Sequence, residues 1–136
     1  MKYMLLMLSL VVGAVGFAGC GPTLEGPTRY PVSGKVTFNG QPVPKGTIIL
    51  EPDIERGNSG PGGGAEIVNG QYDTKLEAGV VGGAYKVRIN GTDGVPVTES
   101  GETLAEGKPL FPTYETVVEF AKEKTVKDFE VGQPAK

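Results

Sequence analysis

The chain of 136 residues has no histidine, no tryptophan and a single cysteine. Without histidine it lacks the commonest general base and the commonest nitrogen ligand for metals. Ser-His-Asp chemistry and HExxH zinc sites are thereby excluded. One cysteine can close no internal disulfide. The missing tryptophan leaves, after Tyr3 in the leading apolar segment, only Tyr30, Tyr72, Tyr85 and Tyr114 as amphipathic rings for stacking on a sugar, and the alternation below puts Tyr85 and Tyr72 on a core face. Basic residues are also few, 13 against 16 acidic ones, for a formal charge of −3. No nucleic-acid partner is expected of such a chain. What it has in abundance is punctuation, with 22 glycines and 11 prolines. Both weaken helix interiors, so the composition points to short strands joined by turns.

The first residues differ from the rest. Lys2 is followed by an uncharged run from Tyr3 to Gly19, apolar at Met4 to Leu8 and Leu10 to Val12. A positive start, a short apolar centre and a small-residue exit describe a secretory signal over 1–19. The run lies at the lower edge of what spans a hydrocarbon layer of ~30 Å, so an uncleaved anchor is the rival reading. Phe17-Ala18-Gly19-Cys20 resembles the bacterial lipobox, with phenylalanine where leucine is usual. The resemblance implies that Cys20 is lipidated and becomes the new N-terminus, placing the protein on a membrane outside the cytoplasm. Gly21 is not aspartate, which under the lipoprotein sorting rule implies the outer membrane, facing periplasm or exterior. Residues 20–29, with Pro22 and Pro27 and little that could pack, read as a tether. Its flexible part reaches roughly 16 Å.

From Tyr30 the pattern is short and alternating. Val32, Gly34, Val36 and Phe38 fall on one face, with Ser33, Lys35 and Thr37 on the other, the period of a half-buried strand. Asn39-Gly40 and Asn69-Gly70 are strong hairpin signals, since both residue types accept positive φ. In Thr47 to Pro52, Ile48 and Leu50 are expected inward and Ile49 outward. Tyr85, Val87 and Ile89 share a face in the next long run. Glu115 to Phe120 and Thr125 to Val131 are expected as the last two strands, joined by Ala121 to Lys124. About seven short strands spaced by turns predict an all-β, Greek-key β-sandwich over 30–132, after an N-terminal signal helix and before a short tail, 133–136. Glu99 to Glu106 is the one stretch where a turn or two of helix is expected.

The segment Pro31-Val32-Ser33-Gly34-Lys35-Val36-Thr37-Phe38-Asn39-Gly40-Gln41-Pro42-Val43-Pro44-Lys45-Gly46-Thr47-Ile48 resembles the opening of the carboxypeptidase regulatory-like domain. Asn69-Gly70-Gln71-Tyr72 and Gly83 to Ile89 resemble its middle hairpin and following strand. Pro112-Thr113-Tyr114 and the final strands look like the ending of short exported lipoproteins of this type. The resemblance implies a seven-stranded, transthyretin-like (Ig-like) sandwich with no catalytic residues of its own. Hydroxyisourate hydrolase and intradiol dioxygenases, which share that fold, rely on histidines, and their chemistry does not carry over.

Candidate chemistry is sparse. The glycine-rich loop from Asp53 to Gly64 lacks the Lys-Ser/Thr of a phosphate cradle and leads into a strand pattern, so it is expected to be flexible. Asp53, Glu55 and Asn58 could supply oxygens to calcium but lack the regular acidic spacing of such loops. No catalytic residue, metal or cofactor is expected. The segment 91–112 is long for a structureless connection. Its apolar Leu110 and Phe111, with neighbouring Tyr114, are the candidate interaction surface. The reading is a non-catalytic, lipid-anchored envelope protein with an accessory or interaction domain. The alternative is an envelope lipoprotein that holds a glycan or small ligand through the 91–112 loop. Expected partners are the membrane, through the lipid, and a protein or glycan of the envelope.

Overall fold

The structure, a computed structural model, describes Gly21 and residues 26–132. The signal segment, Cys20, most of the tether and the tail 133–136 lie outside the described residues. Within them the chain is all-β, with one short 3-10 turn at Ile54–Arg56 and no α-helix. Eleven strands follow in order: β1 (Val32–Phe38), β2 (Gln41–Pro42), β3 (Lys45–Pro52), β4 (Gly63–Val68), β5 (Gln71–Asp73), β6 (Gly83–Thr92), β7 (Val97–Glu99), β8 (Glu102–Leu104), β9 (Tyr114–Phe120), β10 (Thr125–Val126) and β11 (Phe129–Val131).

Local chemistry accounts for the hairpins. Asn39 and Gly40 take φ of 50° and 78°, and Asn69 and Gly70 take 50° and 73°, the paired positive values of a tight turn matched to strand twist. The main sheet runs β10-β1-β5-β4-β3-β6-β9, with β11 and β2 also on β1. Its pairs are antiparallel except at one place, where β10 and β11 lie parallel to β1. The last two runs of the sequence are therefore not partners. After β9 the chain crosses to the opposite edge of the sheet, and Lys127-Asp128 interrupts the final run into β10 and β11.

The sheet curls so that both its ends share one core. Val32 and Val36 of β1, Tyr72 of β5, Ile48 and Leu50 of β3, Tyr85, Val87 and Ile89 of β6, and Phe129 and Val131 of β11 form a single buried cluster. Each such aliphatic side chain contributes about 1.5–3 kcal/mol on burial. Ile49 stays 43% exposed between two fully inward neighbours, as the alternation requires.

The two ends of this body differ in role. The chain enters at one end, where Tyr30 and Val80 exchange both backbone hydrogen bonds, at 2.7 and 2.9 Å. Arg29 Nη1 donates to the carbonyls of Gly62 and Gly79, each at 3.0 Å. At the far end lie both Asn-Gly turns and the segment 91–112.

Candidate interaction surface at the far end

The far-end segment has structure of its own. β7 and β8 form a two-stranded hairpin around Ser100 and Gly101, whose φ values are 51° and 84°. The helical turn expected between Glu99 and Glu106 is thus a β-hairpin. Three acids at helical spacing imitate a helix face, but the Ser-Gly pair fixes the reversal. Backbone pairing continues to the root, where Asp93 N donates to Lys108 O at 3.0 Å and Gly94 N to Glu106 O at 3.0 Å. The Asp93 carboxylate accepts from Val95 N at 3.0 Å and Lys108 N at 3.1 Å, closing the base. Lys108 and Glu99 pair at 2.5 Å. The result is an arm standing on β6, with Val95 61% exposed and Leu104 39% exposed. Leu104 therefore does not anchor the segment.

Leu110 and Phe111 do anchor it. Leu110 N donates to Gly91 O at 2.9 Å. The ring of Phe111 packs against that of Phe38, tilted by 43° with centroids 5.1 Å apart. Tyr114, on β9, pairs with Ile89 of β6. All three side chains are half-buried against the core around Ile89 to Gly91. The structure therefore brings the predicted trio together, but as the root of the arm rather than as free rings. Tyr72 and Tyr85 are buried and Tyr30 is half-buried. Cys20, Phe17, Ala18 and Gly19 lie outside the described residues.

The loop from Asp53 to Gly64 is not slack. Asp53 N donates to Ala84 O at 2.9 Å, and the Asp53 carbonyl accepts from Arg56 N and Asn58 N at 3.0 Å each. The buried Asn58 amide donates to Ala84 O at 2.9 Å. Gly63 and Gly64 already belong to β4. Asp53 is fully buried, with Arg56 at 2.5 Å on one carboxylate oxygen and Lys86 at 3.8 Å from the other. The Arg56 hydrogen bond holds its carboxyl below the ordinary range against the opposing effect of burial, with Lys86 adding to the shift. A carboxylate already facing two cations is poorly placed for calcium. Its burial had no local signature, because Lys86 comes from β6, brought alongside by the pairing of Glu51 with Lys86.

Two further groups tie the edge strands together. The buried Tyr72 hydroxyl donates to Lys127 O at 2.6 Å, where β10 breaks from β11. Burial pushes its phenol upward, and the nearby Asp128 charge adds to this. Glu130 accepts from the Thr37 hydroxyl and from Gly40 N at 2.9 Å, which lowers its carboxyl. A cleft of about 480 Å³ lies at the entry end, beside Pro27, Arg29, Pro61 and Leu76, remote from the arm.

No family model matches the chain, and no curated protein matches it. Among solved structures it is similar to a Pseudomonas aeruginosa protein described as a candidate carbohydrate-binding protein. The identity is 14%, the TM-score 0.45, and the match covers 78% of this chain and 90% of that one. A likeness of that size transfers neither ligand nor role. No helix among the described residues is long and apolar enough to cross a membrane.

Proposed function

We propose that this is a non-catalytic, lipid-anchored protein of the bacterial cell envelope, held through Cys20 and resident in the outer membrane by virtue of Gly21, whose β-domain presents an interaction surface away from the lipid. The observation that carries this reading is the polarity of the domain. Arg29 and Tyr30 fix the chain entry at one end, while the arm and the Leu110, Phe111 and Tyr114 cluster occupy the other. Seven-residue strands at roughly 3.3 Å per residue separate the ends by about 23 Å. A tether leading into that first end leaves the arm pointing outward.

The finer fold reading belongs here too. β2 extends the turn after β1, β7 and β8 belong to the arm, and β10 and β11 continue one interrupted run. The remaining strands then approximate a seven-stranded sandwich of the transthyretin-like type, with inner faces meeting in one core.

The test is fractionation of the full chain and a Cys20→Ala variant after expression in a bacterial host, with labelled palmitate. The wild type should take up label and sediment with membranes, and the variant should do neither. A Cys20→Ala protein that is processed and still sediments with membranes would overturn the anchor. Pull-downs with an arm deletion, 95–106, then test the surface, which is discarded if every retained partner survives the deletion.

A further inference from the structure

The two edges of the main sheet are treated differently. One edge is broken into β10, of two residues, and β11, of three, with Lys127-Asp128 between them. Short pieces, an interruption and lysine are devices that keep an edge from recruiting another strand. The other edge is β9, seven residues in unbroken register with β6 from Ile89–Tyr114 to Gly83–Phe120. β9 contains no proline, no lysine and no bulge, and among the described residues no loop backbone bonds to its outer side. Its free row of N–H and C=O groups is a template for one more strand.

The side chains on the solvent face of β9 select what that strand can be. Glu115, Val117 and Glu119 alternate outward, with Val117 45% exposed. A second copy of β9 paired antiparallel about Val117 would set Glu115 against Glu119 twice, and like charges directly opposite are destabilising. A segment with lysine or arginine at those two positions and an apolar residue between them converts both repulsions into attractions. Arg88 already lies 3.1 Å from Glu115, whereas Glu119 has no ion pair among the described residues. Glu119 is therefore the stronger selector.

We propose that the outer edge of β9 binds an extended, basic segment of another protein by strand addition, with Glu115 and Glu119 facing its positive side chains. The surface needs only β9 and does not depend on lipidation at Cys20.

The experiment uses the full chain and two synthetic probes of alternating threonine, carrying lysine-valine-lysine or glutamate-valine-glutamate at the second, fourth and sixth positions. Amide hydrogen exchange and titration are read together. The lysine probe should slow exchange across Thr116 to Glu119, and the glutamate probe should not. Glu119→Lys should shift the ratio of the two affinities by about tenfold toward the glutamate probe, with Glu119→Gln intermediate. Equal binding of the two probes, protection confined to other strands, or no protection at millimolar lysine probe would each overturn the proposal. Protection of β9 that grows with protein concentration and no probe would assign the edge to a second copy instead.

Discussion

The ring of Phe111 lies directly over the backbone of Gly91, so close that a β-carbon there would stand 2.7 Å from its Cζ. Val43 Cγ1 is equally near on the same side. The arm is thus seated by an aromatic ring pressed onto a residue with no side chain. Gly91→Ala should displace Phe111 and cost about 1–3 kcal/mol, the usual range for overpacking. Phe111→Ala should cost a similar amount. In the double variant the alanine at 91 is freed of the ring, though not of Val43, so the combined loss should be smaller than the sum of the two single losses in urea unfolding. Strict additivity would mean that Phe111 does not seat the arm.

Two glycines in equivalent turns should respond unequally. Gly40 and Gly70 both have positive φ, so alanine is strained at either by about 1 kcal/mol. Around Gly40 a β-carbon meets nothing within 4 Å, whereas at Gly70 it would lie 2.6 Å from Pro42 Cβ. Gly70→Ala should therefore lower the melting temperature further than Gly40→Ala. Equal shifts in calorimetry would show that the β2 segment yields freely.

Buried hydroxyls give a pair of opposite sign. Tyr72→Phe removes the donor to Lys127 O and should cost about 0.5–1.5 kcal/mol. Thr92 Oγ1 is buried without a partner among the described residues. Thr92→Val replaces it by a methyl of the same shape and should be neutral or stabilising by up to about 1 kcal/mol. Chemical denaturation reads both. A destabilised Thr92→Val protein would reveal an ordered water satisfying that hydroxyl.

The acid limb of stability should be set by three carboxylates. Asp53, Asp73 and Glu130 are each held below their ordinary values of 3.8, 3.8 and 4.5, chiefly by hydrogen bonds from Arg56, Lys75 and Thr37 respectively. The unfolded chain then binds protons that the folded chain refuses. Their contribution is complete above about pH 5 and is lost as pH falls through the folded values. Asp73 is exposed and faces the Lys75 ammonium, so salt should weaken its share, while that of buried Asp53 should persist. Asp53→Asn should lower stability at neutral pH and flatten its decline in acid, measured by urea midpoints at high salt. An unchanged slope would remove Asp53 from this account.

Much of the inner face was legible because its causes are local. Alternation placed Ile48, Leu50, Tyr85, Val87 and Ile89 inward and Ile49 outward, and Asn-Gly chemistry placed both turns. Periodicity names a face but not a neighbour, so the crossing from β9 to the far edge and the parallel pairing on β1 had no signal. Glu99, Glu102 and Glu106 suit a helix face and an exposed hairpin equally, and only the turn at Ser100 and Gly101 decides between them. At the surface, Leu110, Phe111 and Tyr114 could be grouped from sequence by their apolar character. Their half-burial could not, because it depends on Phe38 and Gly91, distant in the chain.

The parallel seam between β1 and its two C-terminal partners sets an order of assembly. β5 can join β1 once Asp73 has been made, but Lys35 N waits for the Asp128 carboxylate 93 residues later. Closing so long a loop is entropically slow, and contacts of this span dominate folding times in β-rich domains. Until Phe129 and Val131 arrive, Val36 and Phe38 have no cover on that side. The first strand of the domain is therefore among the last to be locked, and a chain emerging from its N-terminus stays open until Phe129 to Val131 are free to pair.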